Sequence, residues 1–366
     1  MTQIFGNFAD LTVQMVIMWA IGAIMIYLAI IKEMEPTLLL PMGFGAILCN
    51  IPNSGMVHTL DILFNAGVAN ELFPLLLFIG IGAMIDFGPL LADPKLLLFG
   101  AAAQFGIFFT LSMASLLGFE LRDAASIAII GAADGPTSIF VAQTLKSNYT
   151  AAIIVAAYSY MALVPIVQPF CIKLVTTKEE RMIKMEYTPG KITKTTRILF
   201  PIVVSIIASL VAPDSAALVG FLMFGNLLRE CGVLRSLSEC AQNQLANLVS
   251  LLLGLTVAVR MQADSFLVPE TLMILGLGLI AFMFDTFGGV FFGKFLNLFS
   301  KKKVNPMVGA AGISAFPMSS RVIAKMARED DPYNFILMQA AGANVAGQVA
   351  SVIAGGLILA MIGPLV

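Results

Sequence analysis

The chain has 366 residues, 59% of them hydrophobic and 12% charged, with a mean hydropathy of +0.93. Soluble domains carry roughly 25% charged residues, so the composition excludes an ordinary water-soluble domain and predicts an all-α polytopic membrane protein. Twenty-one basic and 22 acidic side chains give a net charge of −1 with no basic tract for nucleic acid; four cysteines without CxxC spacing and one histidine, His58, argue against a zinc site.

A membrane-spanning helix needs about 20 apolar residues. The first apolar run, Leu11 to Ile31, lacks the basic start and the A-x-A exit of a cleaved leader, so it reads as the first span. Long runs follow at 72–92, 95–119, 149–172, 271–299 and 333–363. Shorter runs at 38–51, 198–213, 215–228 and 245–259 are cut by Gly, Pro or polar residues. About ten spanning helices are expected. Two further stretches, 124–146 and 305–327, have Gly-rich middles and read as broken re-entrant hairpins.

The one long polar segment, KLVTTKEERMIKMEYTPGKITKTTR (173–197), holds seven Lys/Arg against three Glu. The positive-inside rule makes it cytoplasmic, and four spans later the chain returns to that side at Lys301, Lys302 and Lys303. The segment separates two similar halves, 1–172 and 198–366. PMGFGAIL (41–48) resembles FLMFGNLL (221–228), QFGIFF (104–109) resembles FGGVFF (287–292), and GAADGPTS (131–138) resembles GAAGISAF (309–316). Tyr149 and Tyr333 then each start a helix. Five spans plus a hairpin per half turn the second half upside down, giving two inverted repeats. The first hairpin would enter from outside and the second from the cytoplasm.

In GAADGPTSIF (131–140) a carboxylate, Asp134, stands beside Gly135 and Pro136. Non-helical backbone is tolerated at membrane depth only where protein or a wet cavity satisfies its polar groups. Free carbonyls plus one carboxylate are the ligand set of a small hard cation such as Na⁺, or of a proton; Asp134 also fits a helix N-cap, and both roles are compatible. The second hairpin offers Asn305, Gly309, Gly312 and Ser314 as neutral oxygen donors. Arg321 suits a carboxylate arriving from the cytoplasm, or snorkelling to headgroups with Lys325 and Arg328. Tyr158 and Tyr160 precede the helix-kinking Pro165, placed either to ligate and relay protons or to anchor at the interface. Asn344 falls opposite Tyr160 when Tyr149 and Tyr333 are superposed, as a ligand or as an amide joining helices. Asp86 and Arg260 read as helix-end charges, Asp285 and Gln104 as residues lining the cavity.

GAADGPTSIF, AAYSYMALVPIVQPF, NPMVGAAGISAFPMSSRV and GANVAGQVAS together resemble, in order and over nearly the whole chain, the integral-membrane beta subunit of the sodium-pumping biotin-dependent decarboxylases. The absence of a long extra N-terminal segment fits the shorter acyl-CoA-type members. The resemblance implies a subunit of the bacterial cytoplasmic membrane that decarboxylates carboxybiotin, consumes a proton and exports Na⁺. It implies partners as well: a carboxyltransferase alpha subunit, a biotin carrier protein, a small membrane gamma or delta subunit, and further copies of the chain. The sequence contains no biotin-attachment lysine motif and no carboxyltransferase domain, and the resemblance implies that the biotin is carried by a partner. By position, Asp134 matches the family's sodium- and proton-linked aspartate and Tyr160 its functional tyrosine. Asn305, Gly309, Ser314 and Arg321 match its second-hairpin set, with Arg321 and Asn305 toward carboxybiotin. Asn344 matches a sodium ligand alongside Asp134, Ser314 and Gly309. The residues alone leave open a Na⁺-coupled carboxylate transporter or a Na⁺/H⁺ antiporter; the resemblance favours the pump.

Overall fold

The structure is a computed structural model that describes residues 9–33, 36–186 and 192–366. The described residues form helices joined by turns and breaks, with no strand among them. In chain order the main helices are α1 (Val13–Ile31), α2 (Pro36–Cys49), α3 (Met56–Gly67), α4 (Leu72–Met84), α5 (Leu96–Ala102), α6 (Phe105–Leu116), α7 (Leu121–Ala128), α8 (Gly135–Thr144) and α9 (Thr150–Val175). After the linker come α10 (Lys194–Val211), α11 (Ala216–Glu230), α12 (Arg235–Arg260, with a π turn at Ala241–Leu245), α13 (Pro269–Phe299), α14 (Met307–Ala310), α15 (Met318–Asp330) and α16 (Leu337–Ile362).

Among the described residues six helices are long and apolar enough to cross a membrane, and eight units qualify when the bent pairs Met56–Gly67 with Leu72–Met84 (61°) and Ala152–Met161 with Leu163–Val175 (69°) each count once. The second bend lies just before Pro165, whose ring removes a helical hydrogen bond. Two of the ten expected spans are shorter: α2 has 14 residues and α11 has 15, or about 21–23 Å at 1.5 Å per residue. Both are packed by protein. α2 lies on α1 and α12, and α11 lies on α10 and α4. The shared F-G-x-x-L of the two halves marks these crossings. A Cβ on Gly45 would lie 2.6 Å from the Ala258 Cβ, and one on Gly225 would lie 2.1 Å from the Ile79 carbonyl oxygen. Only glycine lets the backbones approach so closely. Where α4 stops, Arg229 Nη1 and Asn226 Nδ2 donate to the orphaned Met84 and Ile85 carbonyls at 2.7 and 2.9 Å.

The helices pair by one scheme in each half. α1 packs on α2 as α10 does on α11; α2 packs on α12 as α11 does on α4; α9 packs on α13 as α16 does on α5. Burial grades from rim to centre: 11% of the apolar stretch of α10 and 22% of that of α1 are buried, against 72% for Leu337–Leu365. α16 is therefore central, and it packs on α8, α14 and α15.

One sequence expectation holds with a local change and two are corrected. The run 95–119 forms one span, Leu96–Leu116, with a turn at 103–104 between α5 and α6, where Asp285 of α13 accepts from the Gly106 amide. Tyr149 caps α9, but α16 starts at Leu337, four residues beyond Tyr333, so the register that set Asn344 opposite Tyr160 is not that of the helix starts. The segment 173–197 is not one polar loop: α9 runs on to Val175, a helical turn spans Lys178–Arg181, and α10 begins at Lys194. Within it, 187–191, including Lys191, lie outside the described residues.

Candidate cation site

Both hairpins break where the Gly-rich stretches predict. In the first, α7 tightens into a 3₁₀ turn, Ile129–Ala132. Ala133 then turns left-handed (φ 52°, ψ 42°), and Asp134 is extended before α8 starts at Gly135. A left-handed alanine costs about 1–2 kcal/mol, so the surroundings must hold it. Tyr158 does part of this, its ring lying where a Cβ on Gly135 would be (2.4 Å). In the second hairpin the break runs from Ala311 to Pro317, between α14 and α15.

The two breaks touch. Ser314 donates twice to the Ala132 carbonyl, from its backbone amide at 3.0 Å and from Oγ at 3.1 Å. Non-helical backbone of one hairpin thus satisfies that of the other, as an interior without free water demands. α16 passes beside both: a Cβ on Gly347 would stand 2.0 Å from the Gly312 carbonyl oxygen.

Asp134 is 3% exposed. Its Oδ1 accepts from the Thr137 amide at 3.2 Å, the N-cap bond of α8. Its Oδ2 accepts from Ser351 Oγ at 2.6 Å and from Gln348 Nε2 at 3.1 Å. No cation side chain pairs with it among the described residues. Close by, Asn344 Nδ2 donates to the Ile313 carbonyl at 2.7 Å, while its Oδ1 is buried and accepts no hydrogen bond. The carboxylate and an unpartnered amide oxygen thus both lie at the crossing of the broken helices, the Thr137 amide capping the first of them. Hard oxygen donors of this kind suit a small monovalent cation.

The expected residues do not all meet there. Asp134, Ser314 and Asn344 are brought to the crossing of the two breaks. Tyr160 is directed elsewhere: its hydroxyl bonds the Leu275 carbonyl of α13 and its ring covers Gly278, because the small residue leaves a notch for the phenol. Gly309 is used for packing, with a Cβ there falling 1.9 Å from the Gly289 oxygen of α13. Asn305 is spent on the linker, donating to the Arg181 and Ile183 carbonyls at 2.7 and 2.9 Å. Arg321 stands exposed on α15, with Lys325 and Arg328 on the same exposed face. Asp86 and Arg260 are at helix ends, Asp86 paired with Arg197 at 3.2 Å and Arg260 over the Phe64 ring. Asp285 is buried beside Gly106 and Gly131, and Gln104 Nε2 donates to the Gly100 carbonyl at 3.0 Å.

Two site residues, Gln348 and Ser351, went unremarked in the sequence. The signal was there: Asn344, Gln348 and Ser351 stand at i, i+4 and i+7 in an otherwise small and apolar helix, which puts three polar side chains on one face. Gln168 of α9 plays a related part at the second hairpin, its Nε2 donating to the Ala310 carbonyl at 2.8 Å and to Ser319 Oγ at 2.7 Å.

Comparison with known proteins follows the same lines. Residues 14–362 match the family model described as the Na⁺-transporting oxaloacetate decarboxylase beta subunit. The methylmalonyl-CoA decarboxylase subunit beta of Veillonella parvula is 48% identical over 98% of this chain and 95% of its own. The glutaconyl-CoA decarboxylase subunit beta of Acidaminococcus fermentans is also 48% identical, over 95% and 93%. The oxaloacetate decarboxylase beta chain of Haemophilus ducreyi is 42% identical over 97% of each. With this match along almost its entire length, the chain belongs to the Na⁺-transporting decarboxylase beta-subunit family.

Proposed function

We propose that the protein is the membrane subunit of a Na⁺-translocating decarboxylase, acting on carboxybiotin presented by a biotin carrier protein after a carboxyltransferase subunit has loaded it. Decarboxylation breaks the N–CO₂ bond of the carboxylated ureido ring. The electron pair stays on nitrogen, which takes up a proton, and CO₂ leaves. The membrane subunit ties that proton uptake to Na⁺ movement from the cytoplasm outward.

The observation that carries this reading is the environment of Asp134. Ionised, it supplies the negative charge for Na⁺ beside the open oxygen of Asn344, with Ser351 and Gln348 orienting Oδ2. Protonated, it loses that charge and releases the ion. Competition of Na⁺ and H⁺ for one buried carboxylate links the two flows. The matching pairing scheme of the halves supports an inverted repeat, in which one bundle moves against another around a central site. In that arrangement the linker and the Arg321 face are cytoplasmic, where Arg321 meets the carboxylate of the incoming carboxybiotin. Family membership supports the pump over a secondary transporter with the same broken helices.

The test is the complete complex in inverted membrane vesicles. Asp134→Asn is expected to abolish both Na⁺-stimulated decarboxylation and avidin-sensitive ²²Na⁺ uptake. Uptake at the wild-type rate would remove Asp134 from the transport path.

A further inference from the structure

The feet of the two hairpins are closed in different ways. The first closes on itself: Asp123 Oδ1, at the start of α7, accepts from Ser147 Oγ at 2.7 Å and from the Asn148 amide at 2.9 Å. Its Oδ2 accepts from Asn148 Nδ2 at 3.2 Å. The second hairpin has no such internal clasp among the described residues. Its feet, Asn305 and Asn334, both reach the same two carbonyls of the linker. Asn305 Nδ2 donates to the Arg181 and Ile183 oxygens at 2.7 and 2.9 Å, and Asn334 Nδ2 to the same pair at 3.1 and 3.3 Å. Five residues beyond Asn334, Gln339 Nε2 donates to the Met185 carbonyl at 3.1 Å.

Ion pairs flank this seam. Arg181 Nε lies 2.7 Å from Asp330, Lys184 Nζ 3.0 Å from Asp331, and Lys294 Nζ of α13 2.9 Å from Glu180. A Thr177–Glu180 capping box fixes the turn that presents the carbonyls. The Asp331 carboxyl is held below its usual range by the Tyr333 amide and then by Lys184, so it stays ionised in this seam at neutral pH. Its stabilising effect is lost only as pH falls through that lowered value.

We propose that the linker segment 176–186 is a strap from which the second hairpin hangs, and that Asn334, Gln339 and Asn305 are positioning residues setting where Ser314 meets the first hairpin. α15 connects foot to break as one helix of 13 residues, about 20 Å long, and α14 joins the other foot to the break in four. A shift at the feet is therefore carried to the break. Asn305 acts through the strap, in place of contact with carboxybiotin. The linker, which joins the two halves, thus holds the inner hairpin while the outer one holds itself.

This inference rests on the proposed function only for its activity readout. Hydrogen exchange on the purified complex tests the strap without it. Asn334→Ala is expected to speed exchange of amides in 176–186 and 307–317 by at least tenfold while those in 121–148 are unchanged. The Na⁺ concentration for half-maximal decarboxylation is expected to rise several-fold. Arg181→Asp should loosen the same segments, and Arg181→Asp with Asp330→Arg should restore them, a rescue that general destabilisation does not give. Unchanged exchange in 307–317 on loss of the Asn334 amide, or loosening that leaves the Na⁺ dependence at its wild-type value, would overturn the strap's positioning role. Absence of Na⁺ stimulation in the wild type would count against the proposed function, and the exchange result would still decide the strap.

Discussion

At Asp134 the physics narrows to a few side chains. A carboxylate this deep is expensive unless hydrogen-bonded or paired, and it has three donors and no cationic partner among the described residues. Ser351 gives the shortest of the three, and a bond to a charged group contributes about 1.5–3 kcal/mol. Ser351→Ala is therefore expected to raise the Na⁺ concentration for half-maximal decarboxylation by about tenfold or more, read from Na⁺ titrations of the complex. An unchanged value would mean that Oδ2 is not a cation ligand. Asp134, Ser314 and Asn344 were legible in the sequence because Gly-rich breaks and lone polar groups stand out against hydrocarbon. Tyr160, Gly309 and Asn305 were not, because a motif shows which residue is present but not which neighbour its side chain faces. Tyr160 turns to α13 and Asn305 to the linker, contacts of 115 and more than 120 residues' separation.

Individual helices show where pattern sufficed and where packing overruled it. The long runs that became α9, α13 and α16 were readable from length and apolarity. The short α2 and α11 were read as spans from composition, yet their lengths are matched to protein neighbours by glycine contacts. Gly225→Ala puts a methyl against the Ile79 carbonyl and should cost about 1–3 kcal/mol by overpacking. Thermal denaturation in detergent should show the loss, whereas Gly220→Ala, with open space around it, should show none. The turn between α5 and α6, inside the span Leu96–Leu116, was not legible locally: the Asp285 carboxylate that accepts from the Gly106 amide there comes from 179 residues away.

For the molecule as a whole, the charges at helix ends agree with one sidedness. Asp86, Arg197 and Glu230, from three separate helix ends, form one ion cluster, so those ends share a face with the linker. Single cysteines at Lys302 and at Gly118 should label from opposite sides of intact vesicles, Lys302 with the linker side; labelling from the same side would break the inverted arrangement. If the two breaks enclose one exchangeable cation on Asp134, calorimetric titration of the purified complex with Na⁺, in two buffers of different ionisation heat, reads it directly. The wild type should bind Na⁺ with release of protons and Asp134→Asn should not bind; Na⁺ binding of unchanged affinity in the variant would place the cation elsewhere.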